Sequence, residues 1–157
     1  MRRFSFLVLG LIPFVFSCGN SKEIPKSESE IIFSYRQTSC FGKCPVYNIE
    51  IYSDGLVKYE GKHHVSKKGN YIKHLSDEKI EEMIDLFLAS KFFDFEDEYT
   101  SPITDLPTKY LGFTYDGKSK TIKDYHGSPA ELKALHKVMQ AIVEEKAGWK
   151  AVNVPEK

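Results

Sequence analysis

The sequence has no excess of either charge and no long apolar run. Its 157 residues carry 22 lysines and arginines against 22 aspartates and glutamates. A surface that binds nucleic acid needs an excess of basic side chains to neutralise phosphates, so this balance argues against a nucleic-acid partner. The apolar segment at residues 4–16 is shorter than the roughly 20 residues that a membrane-spanning helix needs.

Strings that are typical of a particular chemistry are also scarce. Neither a G-x-S-x-G hydrolase turn nor an H-E-x-x-H zinc string occurs. The acidic segment of residues 94–105 lacks the D-x-D-x-D-G register of a calcium loop. We therefore expect neither a metal nor another cofactor. Catalytic groups can still meet in space from distant positions, so a small enzyme with an unrecognised site stays open.

The amino-terminal segment has the features of an export signal. Arg2 and Arg3 precede the apolar residues 4–16, and no stop-transfer flank follows this apolar segment. Residues 15–18, VFSC, resemble a bacterial lipobox: an aliphatic residue, a variable position, a small residue and then cysteine. The resemblance implies cleavage directly before Cys18, a diacylglyceryl group on its sulfur and acylation of the new amino terminus. An uncleaved membrane anchor is the alternative.

The predicted mature chain begins at Cys18 and continues as a short tether. Residues 19–30 are polar and charged and contain no aromatic side chain, which is typical of a flexible linker. Two or three acyl chains, at about 0.8 kcal/mol for each buried methylene, would make membrane attachment nearly permanent. Gly19 rather than aspartate follows the cysteine, which favours the outer membrane in the best-known sorting rule. Whether the protein faces the periplasm or the cell surface stays open.

Residues 31–149 are predicted to form one domain, and residues 150–157 a carboxy-terminal tail. Apolar periodicity separates the domain into strands and two helices. The predicted segments are strands at 31–36, 46–52, 56–61 and 70–75, a helix after Ser76, a hairpin at 109–125 and a helix between Ser128 and Gly148. The order ββββαββα indicates an α+β fold, in which a mostly antiparallel sheet carries both helices on one face.

The string SDG, residues 53–55, predicts the register of the second and third strands. A three-residue loop with a left-handed Gly55 sets Ile51 opposite Val57. A two-residue Asp-Gly loop would instead set Ile51 opposite Lys58. The three-residue loop is the prediction, because it places two apolar side chains opposite each other on the same face of the sheet.

Both predicted helices have recognisable starts. Ser76 is the predicted N-cap of the first helix. Ser128, followed by Pro129 and by Glu131, predicts a capping box for the second. His136 falls within the apolar stripe of that second helix, and we expect it to be a buried interface histidine rather than a metal ligand.

Cys40 and Cys44 lie four positions apart in TSCFGKCP, residues 38–45. Fully extended, the chain would hold their Cα atoms roughly 13 Å apart, beyond bridging distance. Gly42 permits a turn between them, and Pro45 restricts the exit from that turn. Since export leads to an oxidising compartment, we expect a disulfide at the head of a hairpin.

Functional hypotheses for this cysteine pair compete with the structural one. The Cys-x3-Cys-Pro string resembles the copper-delivering motif of thioredoxin-like copper chaperones, although the residues after Pro45 alternate as a strand instead of forming a helix. A redox-active pair is another possibility, because Lys43 could lower a thiol pKa. A zinc site would need additional ligands such as His63, His64 or His74, whose spacing matches no standard pattern.

Tyr52 and Asp105 are the candidate partner-binding residues. If Ile49 packs inward, alternation turns Tyr52 to the sheet face away from the helices, where an aromatic ring can contribute to a binding patch. Asp105 precedes Leu106 and Pro107 in the acidic loop, where it could instead cap a turn through its own backbone.

Three segments together resemble an uncharacterised family of bacterial envelope proteins. They are CFGKCPVYNIEIYSDGLVKYEG at 40–61, YTSPITDLPT at 99–108 and DYHGSPAELKALHKVMQAI at 124–142, followed by Trp149. The family is a domain of unknown function, often found in lipoproteins, with C-F-G-x-C-P-x-Y and D-G-x-V-x-Y-x-G elements. The resemblance implies the same domain and an envelope location, and it assigns no catalytic residue.

These observations lead to three hypotheses of function. The first is a lipid-anchored envelope protein whose domain binds a ligand or a protein partner without catalysis. The second is a thiol-redox or copper-handling envelope protein that uses Cys40 and Cys44. The third is a small enzyme whose site has no local sequence signature.

Overall fold

The computed structural model describes residues 29–153. Cys18 and the predicted signal peptide, residues 1–17, lie outside the described residues, as does most of the tether. The described part contains eight strands, two α-helices and one short 3-10 helix. In chain order these are β1 Ile31–Gln37, β2 Val46–Tyr52, β3 Leu56–His63, β4 Gly69–His74, α1 Asp77–Ala89, the 3-10 helix Phe92–Asp94, β5 Glu98–Tyr99, β6 Lys109–Tyr115, β7 Lys118–Asp124, α2 Ala130–Glu144 and β8 Lys150–Val152.

All eight strands belong to one sheet with the order β5-β7-β6-β1-β2-β3-β4-β8. Neighbouring strands are antiparallel except β5 and β7, which are parallel. The longer elements follow the order ββββαββα, so the predicted α+β fold with a mostly antiparallel sheet is confirmed.

Both helices pack on one face of the sheet. Side chains three or four positions apart share one face of a helix, and alternate residues share one face of a strand. The rings of Phe33 on β1 and Phe87 on α1 lie 4.8 Å apart, centroid to centroid. The helix residues buried in this core are Ile80, Met83 and Phe87 of α1 and Leu132, Leu135, Met139 and Ile142 of α2. Side chains on the opposite face include Asn48 and Glu60, which are joined by a hydrogen bond of 2.9 Å.

The SDG turn produces the register that the sequence predicts. Ile51 lies opposite Val57 on β3. Gly55 has a φ of +78°, in the left-handed region that favours glycine. A Cβ atom at this position would lie 2.5 Å from the carbonyl oxygen of Leu75. Glycine is therefore required here by both the backbone conformation and the available space.

One of the two predicted helix caps is confirmed and the other is wrong. The Ser76 Oγ accepts a hydrogen bond of 3.3 Å from the backbone N–H three residues later. By contrast, α2 begins at Ala130 with Pro129 as its N-cap and no side-chain cap. The Ser128 hydroxyl instead donates to Asp124 Oδ2 at 2.8 Å. As an N-cap, the Ser128 oxygen would accept a hydrogen bond from a neutral backbone N–H, whereas its hydroxyl here donates to a charged carboxylate, which makes the stronger hydrogen bond.

The sheet continues beyond Trp149, where we expected the domain to end. β8 pairs with β4, and Val152 is 8% exposed. The Trp149 ring lies 5.5 Å from the ring of Tyr59, and its Nε1 donates to the Glu145 carbonyl at 3.0 Å. A strand of three residues is too short to show an alternating pattern, so the sequence contains no signal for it.

Candidate functional site

Residues 38–45, which connect β1 to β2, form a tight turn that we call the clasped turn. Cys40 and Cys44 within it form a disulfide, with their Cα atoms 5.7 Å apart. This separation lies in the usual bridging range and is less than half that of an extended segment. The structure thus agrees with a disulfide at the head of the hairpin.

Hydrogen bonds hold both ends of the clasped turn. The Thr38 N–H donates to the Thr108 carbonyl at 3.0 Å, and the Thr108 N–H donates to Thr38 Oγ1 at 3.0 Å. The Gln37 Nε2 donates to the Pro45 carbonyl at 3.0 Å. The turn is therefore attached to the segment before β6 and to the end of β1, which gives its tip a defined position.

Phe41 stands at the tip of the clasped turn and is 90% exposed. The other exposed large apolar side chains of residues 29–153 are only 37–42% exposed. Gly42 and Lys43 beside it are exposed as well. Phe41 was not among the predicted functional residues, because a lone aromatic residue in a turn produces no periodic pattern.

A concave surface of about 240 Å³ adjoins the base of the clasped turn, and we call it the Pro45 cleft. Its walls include Gln37, Pro45, Tyr47, His64, Gln140 and Val143. Because Pro45 follows Cys44 directly, the last residue of the clasped turn is also a wall of this cleft. A projecting ring and a concave surface therefore lie in the same region of the domain.

Three buried polar side chains meet where β7 leads into α2. Asp124 Oδ2 lies 2.8 Å from both Ser128 Oγ and His136 Nε2. Burial alone would raise the pKa of the Asp124 carboxyl. Hydrogen bonds from His136 and Ser128, together with the charges of His136 and Lys109, outweigh burial and lower this pKa below its ordinary value. The carboxyl group is thus a charged acceptor that orders the connection between β7 and α2.

A second chain of buried hydrogen bonds continues along α2. The Gln140 Nε2 donates to the Tyr35 hydroxyl at 3.1 Å, and this hydroxyl donates to Gln37 Oε1 at 3.1 Å. Burial raises the pKa of Tyr35 far above its ordinary value, which keeps the hydroxyl protonated as a donor. Since Gln37 also holds Pro45, this chain of hydrogen bonds links α2 to the clasped turn.

Ser128, Asp124 and His136 are not arranged as a catalytic triad. In a Ser-His-Asp triad the imidazole contacts the serine hydroxyl and removes its proton. Here the hydroxyl and the imidazole both contact the same carboxylate oxygen. The serine is also only 4% exposed. This geometry orients the three residues and does not activate a nucleophile.

A larger concave surface of about 400 Å³ lies at the amino-terminal end of α2, and we call it the helix-end cleft. Its walls include Leu106, Lys109, Tyr125, Lys133, His136 and Lys137, and Asp124 and Ser128 also line it. The buried polar side chains at the end of β7 therefore form part of its surface. The sequence signal for this cleft was weak, because its residues come from β6, β7 and α2.

The two predicted partner-binding residues lie far from each other. Tyr52 is only 8% exposed, because its hydroxyl donates to Glu50 Oε2 at 2.9 Å and the Lys58 Nζ lies 4.3 Å from its ring. Burial and the bond to Glu50 raise the pKa of Tyr52 to about 12. Asp105 is exposed in the loop before β6. Tyr52 pairs with Ile31, the first residue of β1, whereas Lys109 at the start of β6 pairs with Gln37, the last residue of β1. Tyr52 and Asp105 therefore lie at opposite ends of the strands.

The candidate metal ligands are not gathered into one site. His63, His64 and His74 are all exposed, at the ends of β3 and β4. Within residues 29–153, no group of three or more His, Cys, Asp or Glu side chains is placed to hold a metal ion. In the same part of the chain, no helix is long and apolar enough to cross a membrane.

Residues 112–119, GFTYDGKS, match the phosphate-loop string G-x-x-x-x-G-K-S. A phosphate loop connects a strand to the amino terminus of a helix. The structure instead places these residues in the β6–β7 hairpin, around the two-residue turn Asp116-Gly117. The match is therefore a coincidence of composition and marks no nucleotide site.

A comparison with known protein families places this domain among those without an assigned role. A family model described as Domain of unknown function (DUF6438) matches residues 31–143, which is well over half of the chain. The chain belongs to this family. No curated protein matches it. The description of the family names no ligand, partner or reaction, so the function of this DUF6438 domain has to be inferred from its own residues.

Proposed function

We propose that the protein is a lipid-anchored component of the bacterial cell envelope whose DUF6438 domain binds a protein partner without catalysing a reaction. The main support for the binding function is the 90% exposure of Phe41 on the clasped turn. The lipid anchor is proposed from the lipobox-like string that ends at Cys18.

An exposed aromatic ring on a covalently closed turn suits an interface hot spot. Moving a phenylalanine side chain from water into a partner's pocket is worth about 1.5–3 kcal/mol. Aromatic residues of this kind account for much of the binding energy in protein interfaces. The disulfide fixes the turn before binding, so less conformational entropy is lost when the complex forms.

The Pro45 cleft favours a protein partner over a lipid surface. A partner that buries Phe41 also meets a concave surface of about 240 Å³ near the base of the same turn. A folded protein can fill a cavity and enclose a projecting ring at once, whereas a lipid surface would accept only the ring. We therefore expect the partner to be an envelope protein with an apolar pocket for Phe41.

Site-specific photo-crosslinking in intact cells tests the partner. A photoreactive amino acid replaces Lys43, next to the ring, and we expect a discrete protein adduct after illumination. Phe41→Ser should remove this adduct, and Phe41→Trp should retain it. The same probe at Lys118, on the distant β6–β7 turn, is the matched control. Adducts to lipid alone, or a protein adduct that persists in Phe41→Ser, would contradict the proposal.

The lipid anchor can be tested separately with a fatty-acid probe. The wild-type protein should be labelled and should remain with the membranes, and Cys18→Ser should abolish labelling. Cys18→Ser removes the sulfur that forms the thioether to diacylglycerol, so labelling that persists in this variant would refute the lipobox interpretation.

A substitution at Gly19 tests which of the two membranes holds the protein. We expect the wild type to fractionate with the outer membrane. Gly19→Asp should shift it to the inner membrane if the best-known sorting rule operates, while lipid labelling stays unchanged. Identical fractionation of the two proteins would show that another signal decides the destination.

A thiol-redox or copper-handling role is the second candidate function, and the half-buried position of Cys40 and Cys44 in an accessible turn favours it. Thiol titration of protein purified without reductant distinguishes the two functions. A structural disulfide predicts no reactive thiol. Two free, fast-reacting thiols would instead favour the redox or copper function.

A further inference from the structure

Three of the side chains that line the helix-end cleft are lysines. Lys133 and Lys137 lie one turn apart on α2, and Lys109 begins β6. None of their ammonium groups forms an ion pair within residues 29–153. Like charges four positions apart on a helix repel each other by about 0.2–0.5 kcal/mol. The one acidic residue in the lining, Asp124, already binds His136, so the cleft keeps a surplus of positive charge.

His136 provides an independent indication of a ligand. It lines the cleft and is 1% exposed, and its Nδ1 has no hydrogen-bond partner in the described part of the chain. Its Nε2 must carry a proton to share a hydrogen bond with the Asp124 carboxylate. The Nδ1 atom is therefore left without a partner, and a buried polar atom in this state costs about 1–3 kcal/mol. A polar ligand that reached Nδ1 from the cleft would offset this cost.

The remaining walls suit the uncharged part of an organic molecule. Leu106, Pro107 and Tyr125 present apolar surface, and Leu106 is 40% exposed. The cleft volume of about 400 Å³ falls within the range of small-molecule sites.

We propose that the helix-end cleft binds a small organic anion through its phosphate or carboxylate group. Lys133 and Lys137 supply the positive charge, His136 supplies a buried polar atom without a partner, and Leu106 and Tyr125 contact the apolar part. This site is separate from the clasped turn, so it does not require the proposed protein partner.

Calorimetric titration of the purified protein tests this site with phenyl phosphate, benzoate, inorganic phosphate and benzyl alcohol. We expect one or both aromatic anions to bind saturably at roughly millimolar concentration or below. Inorganic phosphate should bind more weakly, because it lacks an apolar part, and benzyl alcohol should bind more weakly because it lacks charge. The tighter of the two aromatic anions identifies the preferred headgroup.

Matched variants assign the binding to the cleft. The double variant Lys133→Gln/Lys137→Gln should weaken binding of the tighter anion at least about tenfold, which corresponds to roughly 1.4 kcal/mol. Lys118→Gln/Lys146→Gln removes the same charge away from the cleft and should leave binding unchanged. All four side chains are exposed, so the fold should tolerate both variants.

Three results would overturn the proposed anion site. They are the absence of saturable binding by any of the anions, equal weakening in the control variant, and benzyl alcohol binding as tightly as phenyl phosphate. Each result leaves the Phe41 crosslink unaffected, so failure of the anion site and failure of the protein-binding function are distinguishable.

Discussion

The clasped turn and the helix-end cleft are stabilised in opposite ways. The clasped turn is one continuous segment, closed by a covalent bond, and it displays a convex aromatic tip. The helix-end cleft combines residues from positions 106 to 140 and is ordered by hydrogen bonds to a buried carboxylate. An exposed feature can therefore be held by a local crosslink, whereas a concave site assembled from distant segments depends on burial.

The largest loss of stability is expected when the Asp124 carboxylate, which lines the cleft, is removed. Asp124→Ala leaves the buried His136 ring and Ser128 hydroxyl without their acceptor. Each buried donor left without a partner costs about 1–3 kcal/mol, so the free energy of unfolding should fall by roughly 2–6 kcal/mol. Urea unfolding with a constant slope m measures the loss.

Asp85→Ala is the control for this variant, because Asp85 is exposed on α1. Its substitution should change the free energy of unfolding by no more than about 0.5 kcal/mol. If Asp124→Ala cost no more than the control, the hydrogen bonds at the end of β7 would not be what orders the cleft.

Loss of the disulfide should have a smaller effect than loss of the carboxylate. Cys40→Ser/Cys44→Ser removes a crosslink that closes a very short loop, worth about 2 kcal/mol by the chain-entropy model. Urea unfolding of the wild type with and without reductant should show the same difference, and the double variant should not respond to reductant. Phenyl phosphate binding should be unchanged, because the cleft contains no part of the clasped turn.

An effect of disulfide reduction on anion binding would contradict this separation of the two regions. If reduction weakened anion binding as strongly as it lowered stability, the chain of hydrogen bonds through Gln37 and Gln140 would transmit changes from the clasped turn to α2. The two sites would then form one functional unit.

The same contrast explains how much could be predicted from the sequence. The clasped turn and the following hairpin depend on signals within residues 38–57. These signals are the cysteine spacing, Gly42, Pro45 and the SDG turn. Each acts between near neighbours, so the hairpin register and the disulfide could be inferred without knowing the rest of the fold.

The helix-end cleft could not be predicted in the same way. His136 was expected to be buried at the interface and is, but its partner Asp124 has no local signature at the end of a strand. Ser128 has the features of a helix cap, and only the folded structure brings the competing carboxylate within 2.8 Å. Asp124 is the available acceptor because it is buried beside His136 of α2, which depends on how this helix packs against the sheet.

Acid should reduce the contribution of Asp124 to the free energy of unfolding. The folded-state pKa of Asp124 lies below the unfolded-state value, so its stabilising contribution is complete above that unfolded value, near pH 4. The contribution is lost as the pH falls through the folded-state pKa. The stability difference between wild type and Asp124→Asn should therefore be constant at neutral pH and shrink below about pH 4. A difference that grew in acid would show that the pKa is raised.

The smallest effect on stability is expected at the tip of the clasped turn. Phe41→Ser removes a ring that is 90% exposed and forms no core contact, so the free energy of unfolding should change by less than about 0.5 kcal/mol. Thermal and urea unfolding measure this change, and Phe33→Ala, in the fully buried core, should by comparison cost about 3–5 kcal/mol.

The same Phe41→Ser variant should lose the protein adduct formed at Lys43, since the ring is the proposed anchor. A stability loss above about 1 kcal/mol would mean that Phe41 packs within its own domain and is not held ready for a partner. Unchanged stability with loss of the adduct would instead separate binding from folding. That separation is expected when a local crosslink, rather than the core, holds an exposed aromatic side chain in position.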